Sequence, residues 1–203
     1  MGTRQPESES GPTERLSSRW DPLCLPLAWL ALGLALVVLA PGCTRPSGAR
    51  ALPSDFQFVA YQSDTYSDGD QVAFSSLFTD GKPVVLNFWG GLCPPCRVEM
   101  PAFQRVYQEY DKRLVMFGLD VGPFTFLGST EDARALLDTL HISYPTGTLP
   151  RDQAVAAQVL AAYEIQGLPV TVFLTQEGEV YRTWTGVLDE ERLEELVQEL
   201  LAL

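Results

Sequence analysis

The chain has 203 residues, 46% hydrophobic and 20% charged, with a formal net charge of −12, which suits one globular domain with an additional segment in front of it. From Ala51 to Leu203, nine Lys and Arg stand against twenty-two Asp and Glu, a balance of −13. Such a surface repels nucleic acid and offers phosphates no basic patch, and the sequence holds neither a glycine-rich phosphate loop nor an internal repeat.

Residues 1–22 are polar, carry Arg4, Arg15 and Arg19 and show no apolar period, so they are expected to lack a packed core. Residues 23–41 form an uncharged run rich in Leu, Ala and Val between Arg19 and Arg45. Its length lies between a signal-peptide core and a minimal membrane span. The basic residues before it favour a cytoplasmic N-terminus, which puts everything downstream outside the cytoplasm. Residues 42–53 read as a linker rich in Pro, Ser, Gly and Arg. The run ends Leu39-Ala40-Pro41-Gly42-Cys43, which resembles a bacterial lipobox and implies lipidation of Cys43. Ala40 and Pro41 stand where Leu and a small residue are usual. A lipidated Cys43 and an uncleaved anchor both tether the domain to a membrane, and the first leaves Cys93 and Cys96 as the only free thiols once Cys24 is removed with the leader.

The globular domain is assigned to residues 54–203. Phe56–Ala60 and Val72–Phe74 read as short strands separated by the turn-rich stretch Asp64–Asp70, followed by a helical turn at Ser75–Phe78 and a tight turn at Asp80-Gly81-Lys82-Pro83. Val84–Trp89 is a continuous apolar run, as expected of a strand covered on both faces. A helix from Pro94 to Tyr110, kinked at Pro101, leads to a second buried strand at Leu114–Asp120, a βαβ unit with parallel strands. Gly122–Gly128 reads as an aromatic, glycine-rich loop in which Phe124 and Phe126 serve either as a substrate-facing wall or as core. Ser129 or Thr130 caps a helix to Leu140, Ser143–Thr146 reads as a short strand, and a helix follows from Asp152 to Tyr163. Val170–Leu174 and Val180–Trp184 form a hairpin. Asp189 caps a closing helix whose Leu193, Leu196, Val197 and Leu200 follow the i, i+3, i+4, i+7 pattern.

The chemistry concentrates at Gly90-Gly91-Leu92-Cys93-Pro94-Pro95-Cys96. Two cysteines separated by two residues make a metal half-site or a redox pair. A structural zinc site needs about four ligands, and the chain has no second such pair and a single histidine, His141. Cys93 falls at a helix N-terminus, where free N–H groups and the macrodipole favour thiolate, the attacking species. It is expected to be the exposed nucleophile, with Cys96 one turn further in as the resolving thiol. Pro94 and Pro95 suit a first helical turn, whose N–H groups have no intrahelical partner to lose. Glu99, three residues beyond Cys96, shares its helical face and can hold a proton for it. Pro169 heads a buried strand; a cis bond there would free the backbone of Leu168 to pair with an extended substrate.

Taken together, Gly81–Trp89 leading into Cys93–Cys96, Glu99-Met100-Pro101, and Gly167-Leu168-Pro169 before a strand resemble the thioredoxin fold, and within it the membrane-tethered TlpA/ResA-type redoxins. The resemblance spans about Ala51 to Leu203. It implies an α/β fold with a central mixed sheet flanked by helices and an N-terminal β extension. It implies a thiol–disulfide oxidoreductase, acting as a reductant, with Cys93 attacking, Cys96 resolving, Glu99 as their acid and Pro169 cis. Trp89, Leu92, Pro94, Pro95, Leu168 and Pro169 would face the substrate. Implied partners are disulfide-containing clients such as apocytochrome c and a membrane electron carrier of the CcdA/DsbD kind; no metal or organic cofactor is implied. Asn87 stands where thioredoxin has a buried Asp, and Leu92 where the family usually has Trp. Alternatives are a peroxiredoxin-like peroxidase, whose Thr-x-x-Cys arrangement is missing around Cys93, a Sco-like copper-delivery protein, which would need His141, and a redox-inert scaffold.

Overall fold

The computed structural model describes residues 55–203, apart from Gln62. The polar segment 1–22, the apolar run 23–41 and the linker 42–53, with Cys24 and Cys43, lie outside the described residues. Among the described residues no helix is long and apolar enough to cross a membrane.

Seven strands form one mixed sheet: β1 (Gln57–Ala60), β2 (Gln71–Ala73), β3 (Val84–Trp89), β4 (Val115–Asp120), β5 (Thr146–Thr148), β6 (Val170–Leu174) and β7 (Val180–Thr185), in the spatial order β2-β1-β5-β4-β3-β6-β7. The continuous apolar runs at β3 and β6 are buried at every position, as befits strands covered on both faces. The helices are α1 (Pro94–Tyr110), α2 (Gly122–Thr125), α3 (Thr130–Leu140), α4 (Gln153–Ala162) and α5 (Glu190–Leu201), with a 3-10 turn at Phe74–Phe78.

Alternation along β3 assigns its side chains to two cores. Val85 and Trp89 join the cluster built by α1, α3 and α5, which also contains Cys93 and Cys96. Val84, Leu86 and Phe88 join the cluster covered by α4, the 3-10 turn and Phe58 of β1. The apolar stripe of α5 (Leu193, Leu196, Val197, Leu200) is buried as its periodicity requires, and Tyr110 of α1 donates from its hydroxyl to Glu194 at 2.9 Å.

Most element ends lie within a residue of the sequence expectation; two stretches differ more. Pairing of β5 begins at Thr146, opposite Gly118, and not at Ser143. Gln104 of α1 takes Ser143 instead: its Oε1 accepts from the Ser143 N–H at 2.7 Å and its Nε2 donates to Ser143 Oγ at 2.8 Å, while Pro145 has no N–H for a ladder. The expected loop Gly122–Gly128 contains one turn of helix, α2, with Pro123 in its first turn. Ser129, rather than Thr130, caps α3 through a reciprocal box with Asp132. Through Pro101, α1 continues to Tyr110, although Pro101 gives the Arg97 carbonyl no intrahelical donor.

The registers position the site. In parallel pairing Trp89 lies opposite Asp120, and Asp120 opposite Thr148, so β3, β4 and β5 end together. In antiparallel pairing Phe88 lies opposite Val170, so the strand entering β6 passes Leu168 and Pro169 at that same end. In open α/β sheets this is where ligands are met.

Candidate active site

The turn from β3 into α1 is held by close packing. Neither Gly90 nor Gly91 adopts a left-handed φ; what the site needs from Gly91 is its missing side chain. A Cβ there would sit 2.6 Å from the carbonyl carbon of Asp132, inside the backbone that starts α3. The next residue, Leu92, donates its N–H to the carbonyl of Leu127 at 2.8 Å, which lays the segment after β4 against the turn.

Cys93 is the N-cap of α1 and Cys96 lies in its first turn; their sulfurs are joined. The backbone N–H of Cys96 also points at the Cys93 sulfur, at 3.3 Å, the donor geometry that would stabilise a thiolate there after reduction. The expectation of an exposed Cys93 is corrected: it is 2% exposed in the disulfide form. Its sulfur is bonded inward to Cys96, and the residue packs in the cluster that holds Trp89 and Ala133. The surface around it is made by its neighbours, since Leu92, Pro94 and Pro95 are all exposed.

Glu99, one turn beyond Cys96 along α1, is buried. Its Oε1 accepts from Asn87 Nδ2 at 2.8 Å and its Oε2 from the backbone N–H of Leu188 at 3.1 Å. Burial raises its pKa to about 7, against the opposing pull of those two donors. Asn87 is therefore more than a missing acid: it orients Glu99, and it also donates to Thr171 Oγ1 at 3.1 Å. Its own Oδ1, the Trp89 indole N–H and the Tyr144 hydroxyl are buried without a partner among the described residues.

Trp89 is corrected as a substrate-facing residue. It lies on the inner face of β3 and is wholly buried, with its Nε1 directed at the space where a Gly118 side chain would be. Leu168 is half-buried and packs against both cores. The Leu168–Pro169 bond is cis and Pro169 is buried. The carbonyl of Pro169 accepts from Gly186 at 2.9 Å, while among the described residues the backbone of Leu168 takes part in none of the turn, loop or cap bonds. His141 is exposed at the C-cap of α3, and among the described residues no group of three or more His, Cys, Asp and Glu side chains is placed to hold a metal ion.

A second buried acid was not singled out from the sequence. Asp120 ends β4 and is fully buried. It accepts from the Tyr61 hydroxyl at 2.7 Å and from the Gly122 N–H at 2.9 Å, and burial raises its pKa to about 6. The available signal was a lone charge closing an apolar run just ahead of glycine. Beside it a cleft of about 500 Å³ is lined by Tyr61, Phe124, Thr130, Arg134, Thr148 and Arg151. Of the two aromatic residues in the segment after β4, Phe124 packs on the second core; Phe126 is 99% exposed.

A disulfide capping the helix that leaves an interior strand of a mixed sheet, with a cis-proline arriving beside that strand's end, is the arrangement of a thioredoxin-fold thiol–disulfide oxidoreductase, and this chain is one. It belongs to the AhpC/TSA family, whose model matches residues 54–192. It is 29% identical over 178 residues to the thiol-disulfide oxidoreductase ResA of Halalkalibacterium halodurans, covering 84% of this chain and 93% of that protein. With ResA of Oceanobacillus iheyensis it shares 31% over 140 residues, 69% of this chain and 66% of the relative. The crystal structure of StoA from Bacillus subtilis superposes with a TM-score of 0.56 at 20% identity, over 72% of this chain and 98% of StoA; at that identity the likeness speaks for the fold.

Proposed function

We propose that this protein is a membrane-tethered reductant of protein disulfides working outside the cytoplasm. The observation that carries this reading is the Cys93–Cys96 disulfide at the head of α1, with the buried, hydrogen-bonded carboxyl of Glu99 one helical turn further on.

In the reduced state the Cys93 thiolate attacks one sulfur of a client disulfide. A Cys93–client disulfide forms and the other client sulfur leaves as thiolate. Cys96 passes its proton to Glu99 and attacks the Cys93 sulfur, which releases the second client thiolate and closes the Cys93–Cys96 bond. The client gains two electrons and the dithiol loses two. Thiolate at Cys93 is favoured by the Cys96 N–H and by the N-terminus of α1. Leu168, whose backbone makes no turn, loop or cap bond among the described residues, serves as the edge along which an extended client pairs.

Resetting the pair takes two electrons from a donor, in this reading a membrane carrier of the CcdA/DsbD kind. Apocytochrome c is a suitable client. The tether is the lipidated Cys43 or the uncleaved run 23–41.

Replacing Cys93 with Ser is expected to abolish reduction of insulin disulfides; full activity in that variant overturns the mechanism. The family match favours one other reading, a peroxiredoxin-like peroxidase. Gly90 stands three residues before Cys93, where the Thr of that arrangement would be. Hydrogen peroxide consumption faster than insulin reduction would put that reading in place of the first.

A further inference from the structure

We propose that Phe126 is a docking residue for the client, the apolar contact that holds the polypeptide segment flanking the disulfide to be reduced. This deepens the reductase reading and rests on it.

Phe126 is the C-cap of α2, with φ 60° and ψ 24°, in the left-handed region. That position is ordinarily glycine, because a Cβ there crowds the backbone. Phe126 takes part in this turn through its backbone, its N–H donating to the Gly122 carbonyl, beside the Leu127 N–H on the same carbonyl and the Thr125 hydroxyl on that of Val121. Glycine would make the same bond with less strain. The ring does nothing for the core either, since the residue is 99% exposed. Neither local conformation nor packing accounts for phenylalanine at this place.

Its location does. The next residue, Leu127, accepts from the Leu92 N–H at 2.8 Å, and Leu92 is the residue before Cys93. Leu92 is itself 60% exposed, and Pro94 and Pro95 are exposed on the other side of the cysteine. Singly exposed apolar residues are ordinary. Here Leu92, Pro94 and Pro95 flank Cys93 along the chain, and the Leu92–Leu127 backbone bond joins the segment of Phe126 to that same turn; together they form the docking surface proposed. Its occupant is an extended segment of the client carrying apolar side chains, with Phe126 as a rigid aromatic anchor. A small disulfide has no flanking segment and gains nothing from this contact.

That difference supplies the test. The full-length protein and its Phe126→Ala and Phe126→Gly variants are reduced with dithiothreitol, and their single-turnover oxidation is followed with insulin and with bis(2-hydroxyethyl) disulfide. The glycine variant suits the left-handed backbone, so a loss of fold cannot account for its behaviour. Both variants are expected to react about tenfold more slowly with insulin and within twofold of the parent with the small disulfide. An unchanged insulin rate overturns the proposal, and so does a parallel fall with both substrates, which would mean that Phe126 acts on the dithiol itself. A parent protein that reacts with neither substrate overturns the reductase reading and this proposal together.

Discussion

Glu99 is where burial and chemistry meet most closely. With its pKa raised to about 7 by burial, the native protein keeps the proton to near neutrality, whereas an unfolded glutamate releases it near pH 4.5. Between those values the folded state binds more protons than the unfolded one, so stability falls as pH rises. The contribution is fully present below about 4.5 and lost as pH passes through about 7; Asp120 acts in the same sense up to its own value of about 6. Glu99→Gln removes its share. Urea denaturation of the oxidised protein across this range should show the parent losing roughly 3 kcal/mol relative to the variant, and parallel curves would show that Glu99 does not titrate in this window. The partner of Glu99 was only half legible in the sequence. Asn87 stood out as a polar break in an apolar strand, but its amide reaches a helical residue twelve positions on, and that meeting depends on how α1 crosses the sheet. The burial of Cys93 was hidden for a related reason: flanking residues do not reveal which side of a turn is covered by a segment distant in the chain.

Among the elements, the turn between β3 and α1 depends on its neighbour α3. The glycine pair is visible in the sequence as a turn signal, and the natural expectation is conformational freedom. The structure assigns Gly91 another role, to let the start of α3 approach the turn. Gly91→Ala should therefore destabilise the protein by about 1–3 kcal/mol, read as a lower urea midpoint with an unchanged slope; an unshifted midpoint would mean that α3 moves aside freely. Helix caps and the α5 stripe were legible because they are local patterns. Strand β5 was displaced by a non-local one. Its three residues are too few to show a period, and the preceding Ser143 is claimed by Gln104 of α1. Similarly, Gly122-Pro123 carried a helix-start signal that an aromatic loop reading passed over.

For the molecule as a whole, two continuous apolar runs and the helix between them were enough to indicate a parallel βαβ unit, and the cysteine pair indicated its chemistry. The strand order was not contained in any local pattern. It follows from the registers, which bring the ends of β3, β4 and β5 and the entry to β6 to one end of the sheet and so gather Cys93, Cys96, Glu99, Leu168 and Pro169 from distant parts of the chain. That assembly is read here as a reductant, and the reading is exposed to one direct measurement, the reduction potential of the Cys93–Cys96 couple in the purified protein. A dithiol that reduces clients in an oxidising compartment should lie near thioredoxin, at about −270 mV. A value near −120 mV, that of a strong disulfide donor, would contradict it and reverse the direction of electron flow.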